Sequence, residues 1–250
     1  MAAIRLIVGL GNPGKDYERT RHNAGFWLVE RLALQHGVSL RKDGKFQALV
    51  GRLGQSGPWL MLPQSFMNAS GRPVQMLAGF FKIPAAEILV VHDEIEFPPG
   101  VARLKQGGGI AGHNGLRDIS QRIATHDYWR LRLGVGHPGA KGAVADYVLG
   151  KPVQEERESI DEAIGRALEV MPQMLAGEMQ AAMLKLHTDP KPKAPPKPEP
   201  KPEPKPEPKP EPKPEPKPKP EPKVEAQPEP KSAPAEEKKG LFGSLFGKKK

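Results

Sequence analysis

No cysteine occurs in the 250 residues. That excludes a disulfide framework, a thiolate nucleophile, a Cys-based zinc site and a Cys-ligated iron–sulfur cluster, and it points to an intracellular setting. Long apolar runs are missing as well. Nothing approaches the ~18 residues of a membrane span, and Ile4 to Leu10 is short and runs straight into glycines, unlike a secretory leader. A cytoplasmic location is the expectation. Proline is scarce through most of the chain, with ten of its 30 falling before residue 190, and arginine is absent beyond that residue.

These two scarcities mark a boundary. Residues 190–250 hold 20 Pro, 16 Lys and 10 Glu, so +6 of the formal net charge of +9 lies there and the first 189 residues carry only +3. In 190–239 the Lys-Pro-Glu-Pro repeats remove amide donors and fix φ, which predicts a disordered linker. As polyproline II at ~3.1 Å per residue, Pro190 to Pro230 would reach on the order of 120 Å. In the terminal peptide 240–250, Leu241, Phe242, Leu245 and Phe246 would share a helical face ahead of Lys248, Lys249 and Lys250. That suits a membrane or protein partner, although Gly240, Gly243 and Gly247 weaken any helix.

Residues 1–189 alternate strand-like and helix-like segments, which predicts a single α/β domain with a mostly parallel or mixed sheet. Ile4 to Val8 reads as a buried strand, and Phe26, Trp27, Val29, Leu32 and Ala33 as a helix that Gly37 ends. Phe46 to Leu53 and Trp59 to Leu62 flank Gly54-Gln55-Ser56-Gly57 as a hairpin. Val74, Leu77, Ala78 and Phe81 form a helical stripe that stops at Pro84. Ile88 to Val91, Val101 to Lys105 and Trp129 to Val135 read as strands, with a helix over Asn114 to Ile123 and closing helices near Gln154 to Met174 and Glu178 to Leu186.

The chemistry gathers in the loops. Gly9, Gly11 and Gly14 fit a dinucleotide-binding pattern, but that fingerprint needs its helix to start within the glycines, whereas here it starts near Thr20, and Glu30 stands at the acid's distance inside the helix. His22 lies in a loop before an apolar helix, and Asp93 at the carboxyl end of the best strand. An Asp accepting a hydrogen bond from imidazole fixes its tautomer and stabilises the protonated base. Asn12, Asn68 and Asn114 occupy turn-like or glycine-rich loops and offer donors and acceptors without charge. His92, Asp93, Glu94, Glu96 and His113 raise a metal reading, which the alternation of side chains along a strand and the spacing of the ligands disfavour. Arg103 with Lys105, and Arg130 with Arg132, sit at strand spacing beside the glycine loop 107–112, suited either to solvated faces or to phosphate contacts.

Taken together, Val8-Gly9-Leu10-Gly11-Asn12-Pro13-Gly14, Thr20-Arg21-His22-Asn23-Ala24-Gly25, Phe66-Met67-Asn68-Ala69-Ser70-Gly71, His92-Asp93-Glu94, Gly112-His113-Asn114-Gly115-Leu116 and Gly134-Val135-Gly136-His137-Pro138-Gly139 resemble bacterial-type peptidyl-tRNA hydrolase over residues 4 to about 187. The resemblance implies a mixed central β-sheet flanked by helices, an esterase without metal or other cofactor, and a monomer. It makes His22 the base that activates water, Asp93 its orienting partner, and Asn12 the residue that reads the substrate's amide. It assigns Tyr17, Phe66, Asn68 and Asn114 to contacts with the substrate or the tRNA end, Met67 to packing in the same cleft, and Arg103, Lys105 and Arg132 to a clamp on tRNA phosphates. Ser65 stands where the family usually has Thr, and Ile110 and Ala111 where Gly or His is common. The tail has no counterpart. A tRNA- or nucleotide-binding module delivered by that tail is the alternative.

Overall fold

The computed structural model describes residues 3–139 and 144–187; the linker 190–239 and the terminal peptide 240–250 lie outside the described residues. Seven strands and seven α-helices follow one another as β1 (Leu6–Gly9), α1 (Ala24–Gln35), β2 (Arg41–Asp43), β3 (Ala48–Arg52), β4 (Trp59–Pro63), α2 (Gly71–Phe80), β5 (Ile88–Glu94), β6 (Ala102–Gln106), α3 (Asn114–Arg122), β7 (Trp129–Gly134), α4 (Val144–Leu149), α5 (Gln154–Glu169), α6 (Met171–Leu175) and α7 (Met179–His187). The strands form one sheet in the order β2-β3-β4-β1-β5-β7-β6. The strands β4, β1, β5 and β7 run parallel, and β2, β3 and β6 are antiparallel to their neighbours. The sheet is therefore mixed, as the resemblance implied.

Burial explains the strand sequences. Every residue of β1 and β5 is buried, because helices cover both faces there, so these strands are continuous apolar runs. Ile7, Leu89, Val91, Leu131 and Leu133 pack against α1, α5, α6 and α7. Leu6, Val8, Met61 and Val90 pack on the opposite face against α2 and α3. At the edge, β6 alternates: Ala102 and Leu104 are buried, while Lys105 is exposed and Arg103 half-buried.

Three elements depart from the sequence reading. The helix expected over Gln154 to Met174 is two, because Pro172 lacks an amide and fits only the first turn of a new helix, α6. The strand β2 and the helix α4, which the periodicity does not reveal, have only three and six residues.

The parallel strands end where the chain switches from one side of β1 to the other, which in an α/β sheet creates a crevice. Glycine permits the helix α1 to close over it. A Cβ on Gly25 would lie 2.3 Å from the Val91 carbonyl oxygen and 2.5 Å from the Leu10 nitrogen, and one on Gly9 would lie 2.5 Å from the Gly25 carbonyl oxygen. Backbone meets backbone at this point. Gly25→Ala is expected to cost ~3 kcal/mol or more by overpacking, read as a lower midpoint in urea.

Candidate active site

The glycine-rich segment after β1 does not form a nucleotide cradle. No helix begins among its glycines: α1 starts at Ala24, and a Cβ on Gly11 would strike the Phe26 ring at 2.7 Å. These glycines admit α1, and the loop they form delivers Asn12. The Asn12 amide nitrogen donates to Asn23 Oδ1 at 2.9 Å, and Asn23 Nδ2 returns a bond of 2.9 Å to the Asn12 carbonyl. Asn12 Oδ1 accepts from the Met67 amide at 2.7 Å. This leaves the Nδ2 donor of Asn12 for the cleft, and a second lone pair on its oxygen.

His22 sits between its neighbours in a 3-10 turn, Arg21–Asn23, at the start of α1. Arg21 anchors that turn. Its guanidinium pairs with Glu156 at 2.5 Å, donates to the Tyr147 and Lys151 carbonyls, and lies 4.1 Å above the Tyr147 ring. Thus the turn bearing His22 and the helix α4, which carries Tyr147, share one fastening.

His22 Nδ1 lies 2.9 Å and 3.0 Å from the two Asp93 carboxylate oxygens. Among the described residues, its Nε2 has no hydrogen-bond partner. Asp93 Oδ1 also lies 3.0 Å from His113 Nε2. His113 is the N-cap of α3, and its Nδ1 accepts from the Leu116 amide at 3.4 Å, so its proton sits on Nε2 and donates to Asp93. Asp93 therefore accepts from two imidazoles.

Electrostatics follows from this arrangement. Burial works against a charged His22, but the Asp93 carboxylate prevails and holds its pKa above the ordinary 6.5. Burial likewise opposes a charged Asp93, yet His22 and then His113 hold its carboxyl well below the ordinary range. His92 behaves differently. Full burial, reinforced by His113, lowers it to about 3, so it is neutral and donates Nδ1–H to the Asp93 carbonyl at 2.6 Å.

These groups floor a cleft of about 490 Å³ lined by Asn12, His22, Met67, Asn68, Asp93 and Asn114, and also by His92 and His113. Ile95, Ile110, Val144 and Val148 give it an apolar wall. Asn114 Oδ1 accepts from Arg117 at 3.0 Å, which leaves its Nδ2 as a donor too. Tyr17 and Phe66 meet edge to face, with ring centroids 6.1 Å apart, and Phe66 is exposed beside Met67. Ala111 takes a left-handed φ of 47° in the glycine loop, a conformation that glycine would adopt with less strain.

None of the four basic residues lines the cleft, although Glu94, which holds Arg132, does. Arg103 pairs in register with Arg132, and Lys105 with Arg130, so all four share one face of the β6–β7 ribbon. Arg132 is tied to Glu94 at 2.9 Å and Glu96 at 3.3 Å, and Arg103 donates to the Ala102 and Leu186 carbonyls. Arg130, buried, grips the Gly107 and Gly109 carbonyls and so holds the glycine loop. Lys105 is exposed. The sequence disfavours the metal reading of His92, Asp93, Glu94, Glu96 and His113, and in the structure Glu94 and Glu96 serve Arg132 while His113 serves Asp93. The only signal for that was its place between a glycine loop and a helix.

Residues 6–195 match the family model described as peptidyl-tRNA hydrolase. The chain is similar to a peptidyl-tRNA hydrolase of Methylobacillus flagellatus, 55% identical over 192 residues that make up 76% of this chain and 100% of the relative. One from Nitrosospira multiformis is 56% identical over 187 residues, 74% of this chain and 98% of the relative. A crystal structure of peptidyl-tRNA hydrolase from Acinetobacter baumannii superposes with a TM-score of 0.73 at 46% identity, over 75% of this chain and 96% of that one. No helix among the described residues is long and apolar enough to cross a membrane. On the strength of the fold, the cleft and a family match over residues 6–195, this chain belongs to the peptidyl-tRNA hydrolase family.

Proposed function

We propose that the chain hydrolyses the ester joining a peptide to the terminal ribose of tRNA, releasing peptide and reusable tRNA, as a cytoplasmic monomer. The observation that carries this reading is the imidazole His22, fastened at Nδ1 to a buried carboxylate while Nε2 is left for water. In the proposed reaction Nε2 takes a proton from water as the oxygen attacks the ester carbonyl carbon, and Asp93 stabilises the imidazolium that forms. The carbonyl oxygen gains negative charge, and the Nδ2 donors of Asn12 and Asn114, with Asn68 beside them, are suited to receive it. As the tetrahedral intermediate collapses, the ribose oxygen leaves and takes the proton held by His22.

The bond from the Met67 amide fixes the Asn12 side chain with its Nδ2 available to donate to a substrate carbonyl. Asn12→Asp replaces that donor with a second acceptor, and a loss of ~10² in kcat/KM is expected, the worth of one oxyanion donor. An Asn12→Asp variant as active as the parent on N-blocked aminoacyl-tRNA would remove Asn12 from the site. The direct test of the reading compares N-blocked and free aminoacyl-tRNA as substrates of the purified chain. Release from the blocked form alone supports it, and no release from either rejects it.

Lys105 and the ribbon around it would meet the tRNA backbone. Arg132 can join them only by sharing itself with Glu96, which is exposed, since Glu94 is buried beneath it. The segment 190–239 would act as a spacer that lets 240–250 engage a membrane or a protein partner. Truncation after Thr188 is expected to leave hydrolysis of purified substrate nearly unchanged and to alter location or partner binding; a large fall in rate would contradict the division.

A further inference from the structure

The floor of the cleft is also a metal-donor set. His22 Nδ1, an Asp93 carboxylate oxygen and His113 Nε2 all lie within 4.8 Å of one another. They reach that point from three separate elements: the 3-10 turn before α1, the end of β5 and the N-cap of α3. We propose that these three residues bind a divalent first-row transition-metal ion, with Zn²⁺ the best fit, and that an occupied site is shut down as a hydrolase.

Two imidazoles and one carboxylate form the donor set of many zinc and non-haem iron sites. A tetrahedral ion with bonds of ~2.0–2.1 Å spaces its ligand atoms about 3.4 Å apart. His22 Nδ1 and His113 Nε2 lie 2.9 Å and 3.0 Å from Asp93 Oδ1, a few tenths of an ångström inside that spacing, and all three atoms lie within 4.8 Å of one another. The charge balance agrees. Asp93 is a buried carboxylate whose two partners are histidines, while the neighbouring Glu94 and Glu96 already have Arg132. A divalent cation would take the place of two shared protons at a site whose fixed charge is negative. His92, stacked edge-on to His113 with ring centroids 5.0 Å apart, adds a buried Nε2 with no partner among the described residues. Since its proton is on Nδ1, that nitrogen holds an uncommitted lone pair beside the cluster.

Occupancy and hydrolysis exclude one another for a chemical reason. A metal bound at His22 Nδ1 leaves the ring's single proton on Nε2, the atom that must accept a proton from water in the reaction proposed above. The ion would sit behind the ring as seen from that nitrogen. Binding breaks the His22 Nδ1–H and His113 Nε2–H bonds that face Asp93, and their protons pass to His22 Nε2 and to His113 Nδ1, which gives up the bond from the Leu116 amide. His22 is then fixed in the tautomer that cannot act as a base. The inhibitory half of this inference rests on the hydrolase reading; the binding half does not.

The test uses the full chain without RNA. One equivalent of Co²⁺ is added and the visible ligand-field bands are recorded, followed by Zn²⁺ to displace it, with circular dichroism to check the folding of each variant. Bands that saturate at one equivalent, vanish with Zn²⁺, disappear in Asp93→Asn and in His113→Gln, and persist when the exposed His126 becomes Ala are expected. The absence of bands in the parent, or bands unchanged in folded Asp93→Asn or His113→Gln, would overturn the site. Hydrolysis of N-blocked aminoacyl-tRNA should fall at least tenfold with one equivalent of Zn²⁺ and return with chelator. If the metal-free chain does not hydrolyse, the hydrolase reading fails and the metal site stands or falls on its spectrum. If it hydrolyses and Zn²⁺ changes nothing, the inhibition is wrong.

Discussion

Replacing His22 by alanine is expected to lower turnover of N-blocked aminoacyl-tRNA by ~10²–10⁴-fold, the usual worth of a positioned general base. The imidazole is the one group on the cleft floor that combines a free nitrogen, a carboxylate partner on its other nitrogen and a pKa held above the ordinary 6.5. Asn12, Asn68 and Asn114 cannot take a proton, and Asp93 turns its oxygens to the two histidines. Binding of tRNA should survive the substitution, because the exposed Lys105 and the other basic residues of its ribbon do not line the cleft. Single-turnover kinetics beside a filter-binding measurement separates the two. Turnover equal to that of the parent would remove His22 from the chemistry.

Asp93→Asn is the second large effect, and it acts through the tautomer. An amide group presents one acceptor and one donor, whereas His22 and His113 both donate to Asp93, so one of the two must turn or lose its bond. If His22 flips its proton to Nε2, the base is lost, and a fall of ~10²–10⁴-fold in kcat is expected with KM little changed. Stability responds with a definite sign. The Asp93 carboxyl titrates in the folded chain well below its ordinary 3.8, so its contribution is present above that value and is lost as pH falls toward the folded one. His22, raised above 6.5, contributes below 6.5, and that part is lost as pH rises through its folded pKa. In Asp93→Asn both contributions vanish. Acid denaturation followed by circular dichroism should show a flatter stability curve than the parent's.

The strands legible in the sequence are those that burial makes monotonous. The apolar run of β5 declares itself, and so does the alternation in β6, because one is covered on both faces and the other is an edge. By contrast, β2 consists of Arg41, Lys42 and Asp43, whose polar side chains carry no strand signal, and it exists because β3 offers it a free edge. From the residues alone the site was legible as a set of types and not of contacts; only the family resemblance joined Asp93 to His22. His22 and Asp93 stand 71 positions apart, and His113 another 20 beyond Asp93. Only the crossing of the chain at β1 brings them together, so nothing local in the sequence joins His113 to Asp93. The same distance hides the pairing of Arg132 with Glu94 and Glu96, which turns an apparent free cation into an ion pair. Arg21 is similar: nothing local announces that this charged residue beside His22 is buried against Tyr147 and Glu156 and serves as a fastening.

The central claim is that His22, oriented by Asp93, is the base in a reaction needing no metal. It meets its most direct test in the pH dependence of kcat/KM for N-blocked aminoacyl-tRNA in the presence of chelator, measured for the parent and for Asp93→Asn. The parent's rate should rise through an acid limb centred above pH 6.5, where His22 loses its proton. In Asp93→Asn the carboxylate no longer opposes burial, so the limb should move to lower pH while the plateau falls. A limb that stays in place in Asp93→Asn, or a parent with no acid limb near the histidine range, would contradict it.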